Sequence, residues 1–451
     1  MPLTRALAEF VAQTGFDGIP SPAIARAKQH ILDGLGCALA GSLDPATVIL
    51  RGHVKEYGGR PQAVLIGTAG RGSIVDAALV NGVATHVLDY DDVDWVLSGH
   101  PTAVLLPTIL ALGEHVRASG KDLLAAYILG FEVLCRVGRA VNPSHYQIGW
   151  HATATLGCLG AAGAAGKLLG MTGAELEMAF GLTASHSSGL RENFGTMTKS
   201  YHAGKAARDG MASALLVKGG FTAAPRILEA SWGFCRVLAR ESNPELAEKG
   251  LGDSFAVDSP GASIKPYPSC AGTHPAIDAM LALAEENDLK PAEVDEIDCA
   301  TDRQALDMLI YPEASTGLQG KFSMHYCLAS ALHRREVGLR QFTDEAVGDP
   351  RIQKTMRKVV LRAASEFDAG YINKCPAVVT VRTTSGRVYA RQEMLPKGDP
   401  EKPLADDELR RKYEMCAGFI LPEARVQALR DAILHLEVLD DTRELTELLQ
   451  P

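Results

Sequence analysis

The sequence lacks several features that define specialised protein classes. None of its nine cysteines forms a C-x-x-C pair, so a disulfide framework is not indicated and we expect reduced thiols in a cytoplasmic compartment. The uncharged run at 152–166 is shorter than the about 20 residues that a membrane-spanning helix needs. Residues 1–15 include an acid where a signal peptide is apolar. These absences predict a protein that does not associate with membranes.

Positive charge and nucleotide-binding motifs are also scarce. Lys and Arg total 45 against 54 for Asp and Glu, which gives a net charge of -9. Nucleic-acid-binding domains carry a basic footprint, so we expect no nucleic-acid partner. Binding of an anionic substrate would therefore require a local cluster of positively charged side chains. Residues 1–240 show no βαβ alternation and no glycine-rich phosphate loop, so no nucleotide cofactor is indicated.

Apolar residues at helical spacing occupy most of the first half of the chain. Thr172 and Glu175 form a capping-box pattern that predicts the start of one helix. The segment 46–72 is interpreted as irregular, because glycines surround its short apolar run. The spacing predicts the other helices of this half over 4–15, 21–41, 73–88, 103–118, 122–141, 151–169, 200–218 and 225–240.

The pattern changes after about residue 260, where alternating strands appear. Thr384-Ser385-Gly386 lies between two of them and predicts a hairpin. We predict a mainly α protein, with an all-helical unit of 1–262 completed by 406–451 and a smaller α+β unit of 263–405. The strands are predicted over 294–300, 359–363, 377–383 and 387–394, and the helices over 273–286, 322–335, 406–418 and 421–436.

Ionisable side chains concentrate between two predicted helices, near the end of the first. A solvated helix end would explain the acidic residues but not the Gly99-His100-Pro101 turn that follows them. A divalent metal site is an alternative, since these are ligand types that such ions use. A catalytic site is the third interpretation. The six residues are His86, Asp89, Asp91, Asp92, Asp94 and His100.

His151 begins one predicted helix, and Lys199 precedes another. The helix dipole at its amino end lowers the pKa of a histidine, so His151 is expected to be neutral and able to act as a base, although a structural cap is the alternative. Lys199 precedes His202, Lys205 and Arg208. This group is either a solvated basic helix face or a clamp for a substrate carboxylate.

A proline-rich loop supplies a third group of candidates. Lys265, Cys270 and His274 lead into a helix whose first amides can bind an anion. Cys270 as a nucleophile is the alternative, and it lacks a strong activating context. Tyr326 lies on a later helix as a core aromatic or as a phenolic acid. Together the candidates suit proton transfer at a carbon beside a carboxylate.

Ordered motifs along nearly the whole chain resemble those of the MmgE/PrpD family. That family includes 2-methylcitrate dehydratase, cis-aconitate decarboxylase and iminodisuccinate epimerase. The resemblance implies a large all-helical domain and a smaller α+β lid in a homodimer, with the site between the two and with no metal or organic cofactor. The motifs are HVLDYDDVDWVLSGHPT, GWHATATLG, TKSYHAGKAARDG, KPYPSCAGTHPAID and KFSMHYCLA.

The same resemblance implies roles for individual residues. We hypothesise that lysines bind substrate carboxylates, that His151 or Asp89 takes the proton, and that an acid protonates the departing group. The implied catalytic residues are Asp89, His100, His151 and Tyr326, and the implied substrate-binding residues are Lys199, Lys265, His274 and Tyr146.

The resemblance leaves the reaction open among three outcomes. Our first hypothesis is a lyase of the 2-methylcitrate dehydratase type, which removes water from a small di- or tricarboxylate. The Val93-Asp94-Trp95 segment differs from that of cis-aconitate decarboxylases. A cis-aconitate-type decarboxylase and an iminodisuccinate-type epimerase are alternatives. A non-catalytic or metal-binding protein on the same scaffold is the alternative from another class.

Overall fold

A computed structural model of the chain describes residues 1–368 and 374–451 and is mainly helical, as predicted. Before residue 250 the only strands in the described structure are the two-residue pair β1, Ala63–Val64, and β2, Arg71–Gly72. The α-helices of this part are α1 Leu3–Gln13, α2 Ser21–Gly41, α3 Pro45–Tyr57, α4 Ile74–His86, α5 Thr102–Val116, α6 Gly120–Val141, α7 Ser144–Gln147, α8 Ala152–Thr155, α9 Gly157–Leu168, α10 Gly173–Thr183, α11 Met197–Lys218, α12 Phe234–Val237 and α13 Pro244–Glu248.

The second part of the chain combines helices with a four-stranded sheet, and helices return at its end. Its strands are β3 Val294–Thr301, β4 Val359–Ala363, β5 Ala377–Thr383 and β6 Val388–Glu393. Its helices are α14 His274–Glu286, α15 Arg303–Met308, α16 Gly317–Gly320, α17 Met324–Arg334, α18 Asp344–Val347, α19 Pro350–Met356, α20 Ser365–Asp368, α21 Asp406–Ala417, α22 Glu423–Leu434 and α23 Thr442–Glu447.

The sheet has the order β4-β3-β5-β6. β3 runs parallel to β4 and antiparallel to β5, with Cys299 opposite Leu361 and Val379. β5 and β6 form the predicted hairpin. Alternate residues of β5 are buried, including Val379 and Val381, because α14 packs on β5 and β6. The burial of this face is the physical reason for the period of two in the sequence.

Two glycines let α4 and α11 approach closely. A Cβ at Gly204 would lie 2.1 Å from the carbonyl oxygen of Leu79, and one at Gly82 would lie 2.6 Å from the Cα of Gly204. Only glycine permits such an approach. The contact brings the last residue of α4, His86, to the first turn of α11, which carries Lys199. The backbone packing therefore aligns two polar helix ends.

Two predictions of local structure were wrong. The segment 46–72, interpreted as irregular, contains most of α3, which begins after the Asp44 cap and has Pro45 in its first turn. An aspartate cap followed by a proline in the first turn is a common start of a helix. The helix predicted over 225–240 is helical only at Phe234–Val237. Gly233, immediately before this short helix, has an extended backbone with φ of -91° and ψ of 177°, so a continuous helix cannot pass through it.

The helices after residue 405 pack on the first part of the chain, as expected. Lys412 on α21 forms a buried ion pair of 2.6 Å with Asp33 on α2, and Gly36 packs against Tyr413. The division at residues 262 and 405 and the assignment of the α+β unit as a lid stay predictions. Within the described residues, no helix combines the length and apolarity that crossing a bilayer requires.

Candidate active site

Asp89 occupies the centre of a buried polar cluster. It follows the end of α4 in a left-handed conformation, with φ of 51°, which an aspartate adopts more readily than most residues. Its Oδ1 accepts hydrogen bonds from Lys199 Nζ at 2.9 Å and from Lys265 Nζ at 2.8 Å. Burial alone would raise the pKa of Asp89, but the two ammonium groups outweigh it and hold that pKa well below its usual range. The carboxylate is therefore ionised and a weak base.

The two lysines differ in how many of their hydrogens the protein uses. Lys265 Nζ donates to the carboxylate and carbonyl oxygens of Asp89 and to the carbonyl oxygen of Ser269, at 2.8 to 3.1 Å. Lys199 Nζ donates to Asp89 and to His86 Nε2, at 2.9 and 3.0 Å. An ammonium group has three hydrogens. Among the described residues, Lys199 thus keeps one hydrogen for an external acceptor, whereas Lys265 keeps none.

Asp91 fixes the histidine behind Lys199. His86 Nδ1 lies 3.0 Å from both carboxylate oxygens of Asp91 and donates its proton to them. Its Nε2 therefore bears the lone pair that accepts from Lys199. Burial and the Lys199 charge, against the opposing effect of Asp91, lower the pKa of His86 to about 3. This histidine is neutral at pH 7.

His100 presents a lone pair toward the same cluster. Its Nδ1 donates to the carbonyl oxygen of Asp92 at 2.7 Å, so neutral His100 carries no proton on Nε2. That Nε2 lies 3.9 Å from Asp89 Oδ1. The loop itself is held by Asp92, whose carboxylate accepts from the backbone N–H and hydroxyl of Thr102 at the start of α5. Burial and then Lys199 lower the pKa of His100.

His151 is fixed by another histidine. It precedes α8 as its N-cap residue, and its Nδ1 lies 3.0 Å from Nδ1 of His202 on α11. Its ring packs nearly perpendicular to that of Phe194, at a centroid distance of 5.0 Å. The pKa of His151 lies well below its usual range, first through burial and then through His202 and Lys199. This direction agrees with the neutral form expected from the sequence, with burial rather than the helix dipole as the main cause.

Five of these residues line one pocket with apolar side chains around them, namely Asp89, His100, His151, Lys199 and Lys265. The empty space of the pocket, including its open mouth, is about 470 Å³. The side chain of Gln304 adds an amide from α15. The polar lining is Asp89, Ser98, His100, Tyr146, His151, Lys199, Lys265 and Gln304, and the apolar lining includes Val93, Trp95, Phe194, Met308 and Phe322.

The metal interpretation meets an electrostatic obstacle. Ligand atoms of His86, Asp89, Asp91 and His100 all lie within 4.8 Å of one another. Yet Asp89 Oδ1 and His86 Nε2 already accept hydrogen bonds from Lys199. A divalent cation would have to enter beside two buried ammonium groups, which like-charge repulsion opposes. The donor atoms therefore fit the ammonium groups better than a metal ion.

The structure brings together six of the eight predicted residues. Asp89, His100, His151, Lys199, Lys265 and Tyr146 line the pocket, and the cluster is buried rather than a solvated helix end. Tyr146 lies under the guanidinium of Arg191, 4.1 Å from its ring centroid. Its hydroxyl is a neutral proton donor, since burial raises the pKa of this phenol.

The structure does not bring Tyr326 and His274 into the described pocket lining. The Tyr326 hydroxyl donates to the carbonyl oxygen of Gln341, so in this structure its proton is directed to the backbone rather than to the pocket. His274 Nε2 donates to the carbonyl oxygen of Ser269 at 3.2 Å, the same oxygen that Lys265 uses. His274 thus supports the lysine loop. Cys270 does line the pocket, and burial raises the pKa of its thiol.

Three contributing residues were not among the predicted site residues. Asp91 and His86 hold Lys199 from behind, and His202 holds His151. Asp91 and His86 belonged to the acidic cluster noted in the sequence. His202 follows Lys199 by three positions, so the two face the same side of α11. The sequence grouped His202 with Lys199 as a basic helix face or a carboxylate clamp, but gave no sign that it is the partner of His151.

Two family models match the sequence. The model described as the MmgE/PrpD N-terminal domain matches residues 5–247, and the one described as the MmgE/PrpD C-terminal domain matches residues 267–437. A cis-aconitate decarboxylase of Aspergillus terreus is 28% identical over 476 residues, which cover 99% of this chain and 96% of the relative. Cis-aconitate decarboxylases of Mus musculus and Homo sapiens are each 28% identical, covering 96% and 95% of this chain and 90% of each relative.

Proposed function

The chain belongs to the MmgE/PrpD family, and we propose that it is a lyase acting on a small di- or tricarboxylate without a metal or organic cofactor. The observation that carries this proposal is the unshared hydrogen of Lys199, located beside the neutral imidazoles of His100 and His151 in one pocket. A cation binds a substrate carboxylate, and a neutral imidazole accepts or, once charged, returns a proton at the adjacent carbon.

The lysines have separate roles in this proposal. Lys199 donates its remaining hydrogen to a substrate carboxylate, and so stabilises the negative charge that develops beside it. Lys265 stays bonded to Asp89 and to Ser269. It acts through its charge rather than through a direct hydrogen bond. Asp89 positions both ammonium groups and takes no proton, because its pKa is too low.

Decarboxylation is the first choice within the lyase class. The relatives named above are cis-aconitate decarboxylases. In this reaction the bond between carbon and one carboxylate breaks, its electron pair stays on the substrate, and carbon dioxide leaves. The apolar wall formed by Val93, Phe194 and Met308 disfavours a charged carboxylate there relative to the uncharged product. The substrate carbanion then takes one proton from Nε2 of a charged His151.

Protonation of His151 follows from substrate charge. The free protein holds His151 neutral through burial and neighbouring cations. A bound di- or tricarboxylate brings two or three negative charges close to the ring, which raises the pKa of the imidazole. We therefore expect the proton used in the reaction to enter with the substrate.

Dehydration is the second candidate, and one observation favours it. Loss of hydroxide needs an acid, and the Tyr146 phenol lines the pocket as a neutral donor. His151 would then abstract the proton beside the carboxylate. The predicted acid Tyr326 is directed to Gln341 instead, so we assign this role to Tyr146. Neutral His100 lacks a proton on Nε2 and cannot serve.

Product analysis separates the candidates. We would incubate the pure protein with cis-aconitate, citrate, 2-methylcitrate or iminodisuccinate, in the presence of EDTA, and follow the solutions by NMR. Formation of a decarboxylated acid supports the first choice, an unsaturated acid formed with loss of water supports the second, and a stereoisomer supports the epimerase alternative. Turnover that requires an added divalent ion would contradict the metal-free proposal.

Homodimerisation and a cytoplasmic location remain proposals for this chain. The homodimer is implied by the family resemblance. The cytoplasmic location is inferred from the scattered cysteines, which include no C-x-x-C pair. Size-exclusion chromatography with light scattering measures the mass, which for a dimer would be twice 48.0 kDa.

A further inference from the structure

His202 is the hydrogen-bond partner of the proposed acid-base residue. Its Nδ1 faces His151 Nδ1 at 3.0 Å, and the rings are 5.2 Å apart between centroids. Both side chains are buried, with His151 at 1% and His202 at 5% exposure. His202 follows Lys199 by one turn of α11. A single helix thus supplies the cation of the pocket and the partner of its histidine.

The Nδ1 to Nδ1 contact restricts where protons can be. A hydrogen bond between two nitrogen atoms needs one proton, so one ring donates and the other accepts. If His202 donated, neutral His151 would carry its proton on Nε2 and have no lone pair there. If His151 donates, its Nε2 is a base in the neutral ring and a donor in the charged ring. Only the second arrangement suits acid-base chemistry at Nε2.

We propose that His202 is a positioning residue that accepts the Nδ1 proton of His151 and so directs the reactive Nε2 of His151 toward the substrate. This inference rests on the proposed function, and it adds the residue that selects the tautomer. His202 then carries its own proton on Nε2. Among the described residues, His151 Nε2 has no hydrogen-bond partner, which leaves it for the substrate.

A neutral partner differs from the aspartate commonly found behind a catalytic histidine. A carboxylate would stabilise the imidazolium and raise the pKa of His151. His202 leaves that pKa low until an anionic substrate binds. The titratable groups that face the pair are His86 and His100 on the pocket side and Lys199 and Lys205 on α11. None of these four groups is anionic, and each lowers the pKa of His151 or of His202.

Nitrogen NMR of the intact protein tests the tautomer without any substrate. With ¹⁵N-labelled histidine, His151 is expected to show a protonated Nδ1 and an unprotonated Nε2 at pH 7, and His202 the reverse. Substitution of each histidine in turn assigns the signals. The opposite pattern overturns the proposal even if the protein is an active lyase. The expected pattern supports it even if none of the four carboxylates is turned over.

Three substitutions at His202 test its effect on turnover. His202→Leu removes the acceptor, and we expect kcat to fall about 10- to 100-fold with KM nearly unchanged. His202→Asn keeps an acceptor oxygen near the Nδ1 position and should recover most of kcat. His202→Asp adds a charge and should move the pKa of His151 in the pH profile upward by about 1–3 units.

His145 provides a matched control. It is buried and hydrogen-bonded to Thr155 and Leu238, and its pKa is lowered to about 4, mainly by burial, but it does not line the described pocket. We expect His145→Asn to lower the melting temperature and leave the pH profile unchanged. An unchanged kcat and pH profile in folded His202→Leu would overturn the proposal. If His202→Leu does not fold, the Asp variant and the NMR pattern decide.

Discussion

Replacing Asp89 by Asn tests the buried charge cluster on which the site depends. Asn tolerates the left-handed backbone at this position, and its amide nitrogen takes the place of Oδ2, which has no hydrogen-bond partner among the described residues. The change removes one negative charge and leaves Lys199 and Lys265 buried together. Their side chains are 8% and 1% exposed, so water cannot compensate the two ammonium groups.

The expected cost follows from these contacts. Breaking a buried ion pair by removing one partner costs about 3–5 kcal/mol. The Asn oxygen retains a hydrogen bond worth about 1 kcal/mol. We therefore expect Asp89→Asn to lower the free energy of unfolding at pH 7 by about 2–4 kcal/mol.

Urea unfolding at pH 7, followed by circular dichroism and tryptophan fluorescence, measures this change. Glu296→Gln is the control, because Glu296 pairs with Arg382 on the exposed side of the sheet. Exposed pairs contribute about 0–1 kcal/mol. If Asp89→Asn were as stable as the native chain at pH 7, or lost no more stability than Glu296→Gln, the reasoning would be wrong.

Three further predictions concern binding and pH. Lys199→Met should raise KM about 10- to 100-fold, the equivalent of one lost charged hydrogen bond, whereas Lys218→Met on the exposed end of α11 should leave KM unchanged; steady-state kinetics compares them. Binding of a tricarboxylate should take up about one proton through His151. The binding enthalpy measured by calorimetry should therefore differ between two buffers of different ionisation enthalpy, and equal binding enthalpies would contradict this. His86 and His274 have folded pKa values of about 3, below the unfolded 6.5, so these groups make stability fall as pH drops from 6.5 toward 3; equal urea midpoints at pH 7 and 5 would contradict this.

Local patterns were sufficient to predict most of the elements. The capping box of Thr172 and Glu175 is present at the start of α10, and the turn at Thr384 joins β5 to β6. Both depend on interactions among residues close in sequence, which a single chain reveals. The helix α3 was not predicted because the glycines around 58–72 led us to interpret the whole segment as irregular. The start signal at Asp44 and Pro45 was nevertheless present in the sequence.

The convergence of the site was beyond local patterns. Lys265 and Asp89 are 176 positions apart, and no spacing rule connects them. The left-handed turn at Asp89 directs its carboxylate between two distant lysines, and it depends on tertiary contacts. The family resemblance pointed to most of these residues. It pointed equally to Tyr326, whose hydroxyl the structure directs to a backbone carbonyl.

The most direct test of the account compares the native chain with His151→Gln on the four small carboxylates, in EDTA, with products followed by NMR. We predict that the native chain converts at least one of them, and that the folded variant binds the same acid but converts it at least about 100-fold more slowly. No conversion of any acid by the native chain, or equal conversion by the variant, would contradict the claim that this pocket transfers a proton beside a bound carboxylate.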